Sequence, residues 1–154
     1  MDPHIRLFDR IAPAYRLFFG HQRRMFKAVM AEGVHKVGAE SGDSFLDIGC
    51  GTGALVSVLS EAGFKAEGVD AAPNMVAATR GAGWKCELGD IGIGLPHADK
   101  SFDFVISSFV AHGMLPPLRA KLYREGRRLA RKAVIIHDYH GRQPLTYVGR
   151  SSHE

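Results

Sequence analysis

The 154 residues carry 45% hydrophobic and 23% charged side chains with a net charge of +4, the balance of one ordinary globular domain able to bury a continuous core. No low-complexity tract is present, no apolar run approaches the ~20 residues of a membrane span, and Met1-Asp2-Pro3-His4 opens no signal-peptide pattern. A cytoplasmic protein with no membrane partner is therefore expected, and its two cysteines, Cys50 and Cys86, fit neither a disulfide framework nor metal-ligand spacing.

Residues 1 to 38 read as a helical preface. Leu7, Phe8 and Ile11 make a short amphipathic turn that Pro13 breaks, leaving a movable flap whose Tyr15 and Phe19 can close over a ligand. Phe26, Val29, Met30, Gly33, Val34 and Val37 then recur on one helical face that can lie on a sheet. From Phe45 onward, short runs rich in Val, Ile and Phe alternate with helical patterns, the sign of βαβ units and a parallel sheet. Strands are expected near 44–48, 66–70, 84–88, 102–108 and 133–137, and helices near 53–62, 74–80 and 117–130. Gly63 stops the first of these helices and Pro73 suits the first turn of the second. The runs Phe104-Val105-Ile106 and Ala133-Val134-Ile135-Ile136 lack alternation, as strands covered on both faces do. Between Arg119 and Lys132 seven basic residues face only Glu125, while Leu118, Leu122, Gly126 and Leu129 form an apolar stripe. That pattern is a solvated outer helix face, with attraction of an acidic substrate or RNA as its alternative use.

The most informative segment is Leu46-Asp47-Ile48-Gly49-Cys50-Gly51-Thr52-Gly53-Ala54, an apolar strand ending in an acid, a glycine-rich turn and a helix start. Glycines permit a sharp turn and close approach to a ligand, and the helix start adds free N–H groups. Gly49-x-Gly51-x-x-Ala54 also satisfies the dinucleotide fingerprint, so the glycines alone do not name a cofactor. Asp47 discriminates. A carboxylate there repels a pyrophosphate and suits a cationic ligand.

This run resembles motif I of the class I S-adenosylmethionine-dependent methyltransferases, and three later stretches match in order: Gly68-Val69-Asp70, Gly89-Asp90-Ile91, and Ser101-Phe102-Asp103-Phe104-Val105-Ile106. Phe8-Asp9-Arg10-Ile11-Ala12-Pro13-Ala14-Tyr15 is similar to the opening of the subgroup related to quinone-biosynthesis methyltransferases, and the resemblance spans about residues 5 to 138. It implies an α/β, Rossmann-like doubly wound sheet of five parallel strands in the order 3-2-1-4-5. Residues 1–38 would form an N-terminal helical lid and 39–154 the cofactor-binding domain. It further implies S-adenosyl-L-methionine as cofactor, with Asp70 on the ribose, Asp90 and the Ile91 backbone on the adenine, and Asp47, Gly49, Cys50 and Gly51 toward the methionine portion. Ala71, Met75 and Ser107 border the same site, Met75 as a packing surface for the adenine or as core. Each acid also has a purely structural use: Asp47 caps a turn, Asp70 starts the next helix, Asp90 ties a Gly-rich loop.

Methyl transfer from a sulfonium neutralises a positive charge and needs no acid for its leaving group. A base is required only when the acceptor has a proton to lose, and His112, His137 and Tyr15 are the candidates, the histidines lying past the fourth and fifth strands. His137, Asp138 and His140 lack convincing metal-ligand spacing, so no metal is expected. The reading is an enzyme acting on a small-molecule acceptor, with nucleic acid not expected. Its alternatives are a non-catalytic module that binds S-adenosylmethionine or S-adenosylhomocysteine (SAH), and a nicotinamide oxidoreductase. Family members continue beyond the fifth strand with a helix and a two-strand hairpin, whereas 17 residues follow His137 and those from Arg142 are polar. The sheet is therefore expected to end near 133–137 before a loose polar tail, its edge open or paired in a homodimer.

Overall fold

The computed structural model describes the backbone of residues 1–140 and 143–150 and the side chains of residues 1–138. Five parallel strands lie in the order β3-β2-β1-β4-β5: β1 is Ser44–Ile48, β2 Lys65–Asp70, β3 Cys86–Leu88, β4 Phe102–Ser108 and β5 Ala130–His140. The order reverses between β1 and β4, whose register pairs Phe45 with Phe104 and Leu46 with Val105.

That register separates two apolar sets onto opposite faces, because successive side chains alternate across a strand. On one face Phe45, Phe104, Ile106 and Ile135 meet helix α2, Phe19–Lys36, through Phe26, Met30 and Val34, and helix α3, Ala54–Glu61, through Leu55 and Leu59. The rings of Phe45 and Phe104 stack at 5.0 Å. On the other face Leu46, Ile48, Val105 and Val134 receive Leu122 and Leu129 of helix α5, Pro116–Leu129. Each such side chain contributes about 1.5–3 kcal/mol on burial, so the two-sided core is the main source of stability. Helix α5 can sit this close because Gly126 lies over Val134, where a Cβ would come within 3.0 Å of the valine Cγ1. Helix α4, Pro73–Gly81, follows β2.

Two expectations are corrected. Pro13 does not break the flap: helix α1 runs unbroken from Pro3 to Tyr15, followed by a 3₁₀ turn over Arg16–Phe18. Proline lacks the N–H that would bond the Asp9 carbonyl one turn earlier, and that carbonyl accepts instead from Asn74 Nδ2 at 3.1 Å. Asp9 Oδ1 accepts the Asn74 N–H at 2.7 Å. Helix α4 has no cap of its own at Ala72, so Asp9 caps it from another helix. The other correction lies past β5. Residues Gln143–Arg150 form β6, antiparallel to β5 from Ala133↔Arg150 to His140↔Gln143. The edge expected to be open, or to pair in a homodimer, is thus covered by the chain's own strand. The rest of the expected tail, residues 141–142 and 151–154, lies outside the described residues.

The basic stretch around α5 is also tied down. Arg128 pairs with Glu125 and Asp99, Arg131 with Asp103 and Lys132 with Asp43, while Arg119 and Lys121 donate to backbone carbonyls. Those side chains fasten the helix and the loop after β3 to the sheet. Among the described residues no helix is long and apolar enough to cross a membrane.

Candidate cofactor and acceptor site

At an order reversal in an open parallel sheet, the carboxyl ends of the two central strands part and leave a crevice. Asp47 stands there, at the end of β1. Its side chain is 3% exposed, and Oδ1 has no hydrogen-bond partner among the described residues. Burial, with the charge of Asp70 adding to it, pushes its carboxyl up to about 8. A buried carboxyl oxygen without a donor is costly in a fold by itself.

The loop that follows is built by conformations only glycine adopts freely: Gly49, Gly51 and Gly53 have φ of +75°, +56° and +88°. A Cβ on Gly49 would stand 2.6 Å from Val110 Cγ2, whereas one on Gly51 would meet nothing within 4 Å. Gly51 is therefore the open side of the turn. The loop's amides are spent inside the protein: Gly49 and Cys50 donate to the Val69 carbonyl at 2.8 and 3.2 Å, and Gly53 to the Cys50 carbonyl at 3.0 Å. Gly51 donates to Asp70 Oδ2 at 2.9 Å.

Asp70, ending β2, receives that bond on one oxygen and the Ala72 N–H on the other, at 2.9 Å. Burial raises its carboxyl, while backbone donors from Ala72, Gly51 and Ala71 oppose the rise. Each oxygen keeps a second lone pair, so the backbone bonds orient the carboxylate without exhausting it. Asp90 Oδ1 accepts the Gly92 N–H at 2.8 Å and its carbonyl closes the same turn. Its structural use and its position at a strand end coexist. Ile91 is buried with Leu46 and Ile48.

Other candidate residues are differently placed. The Cys50 thiol turns from the loop's open side onto Gly68 and lies 3.5 Å from the buried Cys86 thiol. Ser107 Oγ donates to the Ile48 carbonyl at 3.1 Å, fastening β4 to β1. Met75 is buried with Ala12 and Ala72 where α1 meets α4. Tyr15 packs partly buried against that cluster, edge-on to Phe8 at 6.1 Å.

The two histidines are opposites. His137 is 2% exposed, its ring 4.6 Å from Phe109 and 6.4 Å from Phe26, and burial lowers its pKa against the pull of Asp138. It is a neutral core histidine with Nδ1 3.4 Å from Ser108 Oγ. His112, on the 3₁₀ turn Ala111–Gly113 after β4, has a side chain 48% exposed. Its backbone N–H donates to Asp138 Oδ2 at 2.9 Å, and Nδ1 lies 2.7 Å from Asp138 Oδ1. The two bonds fix ring and backbone at once. Helix α1 crosses above these strand ends: Ala12 packs on Ala72 and Met75 after β2, and His4 Cε1 lies 3.3 Å from where a Gly113 Cβ would be.

Sequence reasoning missed Thr52, whose buried Oγ1 has no partner among the described residues, the packing of Val110 on Gly49, the hold of Asp138 on His112 and that of Asp9 on Asn74. Thr52 was legible from its place inside the glycine loop. Asp138 and Asp9 act across 26 and 65 residues of chain, and no local signal marks them.

Comparison with known proteins agrees with this geometry. Curated relatives include the malonyl-[acyl-carrier protein] O-methyltransferase of Serratia marcescens, 34% identical over 124 residues that cover 78% of this chain and 47% of that protein. The demethylmenaquinone methyltransferase of Tropheryma whipplei is 29% identical over 119 residues, 68% of this chain and 45% of that protein. The chain spans about half the length of these relatives. Among solved structures, magnesium protoporphyrin IX methyltransferase from Synechocystis with bound SAH shares the fold at a TM-score of 0.63 and 23% identity, over 77% of this chain and 55% of that one. Residues 46–136, more than half of the chain and reaching from within β1 into β5, match the family described as methyltransferase domain, and the chain belongs to that family.

Proposed function

We propose that the chain binds S-adenosyl-L-methionine and transfers its methyl group to a small-molecule acceptor in the cytoplasm, with residues 1–38 as a lid over the site. The observation that carries this reading is the unpartnered Asp47 Oδ1, buried at the carboxyl end of β1 where the chain enters the glycine loop. A buried carboxyl offers a site for a cationic group and disfavours an anionic one. The loop amides of Gly49, Cys50, Gly51 and Gly53 already have acceptors, which argues against a pyrophosphate cradle and hence against a nicotinamide dinucleotide.

In this reading Asp47 and the Gly49–Gly51 turn hold the methionine portion, the second lone pairs of Asp70 accept the ribose hydroxyls, and Asp90 with the Ile91 backbone borders the adenine. When bound, the cofactor supplies an electrophilic methyl on a sulfonium. The protein's own work is to orient the acceptor, exclude water under α1 and remove a proton where the acceptor carries one. His112 is suited to that last task. Its half-exposed ring is held through Nδ1, and its backbone through N–H, by the one carboxylate of Asp138, which fixes its direction past the end of β4. Buried His137 is not accessible to an acceptor, and Tyr15 belongs with the lid.

Calorimetry with S-adenosylmethionine and with SAH tests the reading, paired with methyl transfer from labelled donor to carboxylate and hydroquinone acceptors. Binding should weaken at least about tenfold in Asp70→Ala, the scale of losing charge-assisted hydrogen bonds. Failure of both ligands to bind would overturn the proposal, and binding without transfer to either acceptor class would reduce the chain to a binding module.

A further inference from the structure

Helix α1 is apolar on two faces. Ile5, Phe8, Ala12 and Tyr15 form the stripe that packs on α4. Two residues further on, about 200° around the helix at about 100° per residue, Leu7 and Ala14 form a second stripe that faces solvent, and it runs on into the 3₁₀ turn at Leu17 and Phe18. Leu7 is 53% exposed, Leu17 84% and Phe18 58%. Contiguous exposed apolar side chains of this size mark an interaction site.

The charge around this patch says what covers it. Residues 1–30 hold six Lys and Arg against two acids, the whole excess of the chain's +4. Both acids are engaged: Asp2 accepts the His4 N–H at the start of α1, and Asp9 caps α4. Arg10, Arg16 and Arg24 are exposed and form no ion pair among the described residues. The basic residues near α5, by contrast, are largely neutralised by acids or fastened to carbonyls. Arg124 and Arg127 of α5 are exposed without an ion pair among the described residues as well, but only the N-terminal corner combines a net excess of unpaired arginines with exposed Leu and Phe side chains.

We propose that the α1 to α2 corner is a docking surface for an anionic lipid bilayer, with Leu17, Phe18 and Leu7 entering the acyl boundary and Arg10, Arg16 and Arg24 at phosphate depth. This pairing of apolar tips with arginines is the chemistry of an interfacial helix. A nucleic acid would use the arginines and leave the leucines in water. The expectation of no membrane partner rested on the lack of a spanning segment, which does not bear on a surface-lying helix.

Co-sedimentation of the intact chain with vesicles tests the proposal without cofactor or acceptor, so its failure is distinct from failure of the methyltransferase reading. The probes are phosphatidylcholine vesicles alone and vesicles one-third phosphatidylglycerol. We expect partition onto the anionic vesicles, weakened by high salt as surface charge is screened. Leu17→Asp with Phe18→Asp should reduce the partition coefficient by at least about tenfold. Arg10→Glu, Arg16→Glu and Arg24→Glu together should abolish the preference for anionic over neutral lipid. Ile93→Asp, at a residue 89% exposed in the loop after β3, should change nothing. Because these side chains are exposed, unchanged circular-dichroism melting is expected to show that the variants fold. Absence of partition, equal partition of Leu17→Asp/Phe18→Asp and the parent, equal loss in Ile93→Asp, or binding to RNA in place of vesicles would overturn it.

Discussion

At the scale of the residue, Asp47 is the position in the proposed site where folding and binding oppose each other. Its carboxyl is raised from 3.8 to about 8, chiefly by burial. As pH climbs from about 4 to 8 the unfolded chain loses this proton while the native state keeps it, so native stability falls across that window and levels off above it. A cationic ligand reverses the preference, because it favours the ionised carboxylate. Ligand binding at pH 7 should therefore release a proton, and affinity should climb with pH toward 8 and then flatten. Asp47→Asn keeps the shape without the charge. It should remove the fall of stability between about pH 4 and 8 in the unliganded protein, weaken cofactor binding at least about tenfold and abolish proton release. Calorimetry in two buffers of different ionisation enthalpy reads all but the first, which denaturant unfolding supplies. An affinity independent of pH in the unaltered protein would remove Asp47 from the site. Asp47 and Asp70 were legible because an acid at a strand end beside glycines is a local pattern. Asp138 was not, since its hold on His112 depends on the β4 to β5 register that sets Ser108 opposite His137.

At the scale of the element, α1 shows how a rule about one residue is overridden by a distant partner. Pro13 removes one hydrogen bond within the helix, and the freed Asp9 carbonyl is satisfied by Asn74. The local reading of Pro13 as a break was sound for an isolated segment and failed because the compensating donor sits 65 residues away. The helices and strands of the domain were legible for the converse reason: their boundaries rest on neighbouring glycines, prolines and apolar runs. The Asp9 clasp joins α1 to the start of α4, so loosening it should free the helix without touching the sheet. Asp9→Ala should lower stability by about 1 kcal/mol, as loss of an N-cap does. Hydrogen exchange of residues 3–15 should speed up in that variant, and in the unaltered protein it should slow when cofactor is added. Equal exchange with and without cofactor would mean that α1 is a fixed part of the fold rather than a lid.

At the scale of the whole molecule, the sheet has two edges treated differently. On one side β3 is only three residues long, Cys86–Leu88, and so short an edge offers little to a second chain. On the other, β5 runs eleven residues, with Val134 and Ile135 buried, and would present a long apolar edge by itself. Strand β6 meets it along eight register pairs. Its existence was not legible because the chain past β5 is too short for the helix and returning pair of strands that the resemblance implies. A single antiparallel return needs far less chain, and β6 follows β5 directly in the sheet. If β6 is what keeps β5 from pairing with another molecule, a chain ending at His140 should retain the two-sided core yet associate. Light scattering across a concentration series should then show a monomer for the full chain and a mass rising with concentration for the shortened one. Lysine substitution at Ile136, half-buried between β4 and β6, should suppress that association by placing a charge on the exposed edge. A shortened chain that remains monomeric at all concentrations would show that β5 is protected by its own register and twist, and that β6 serves the site rather than the edge.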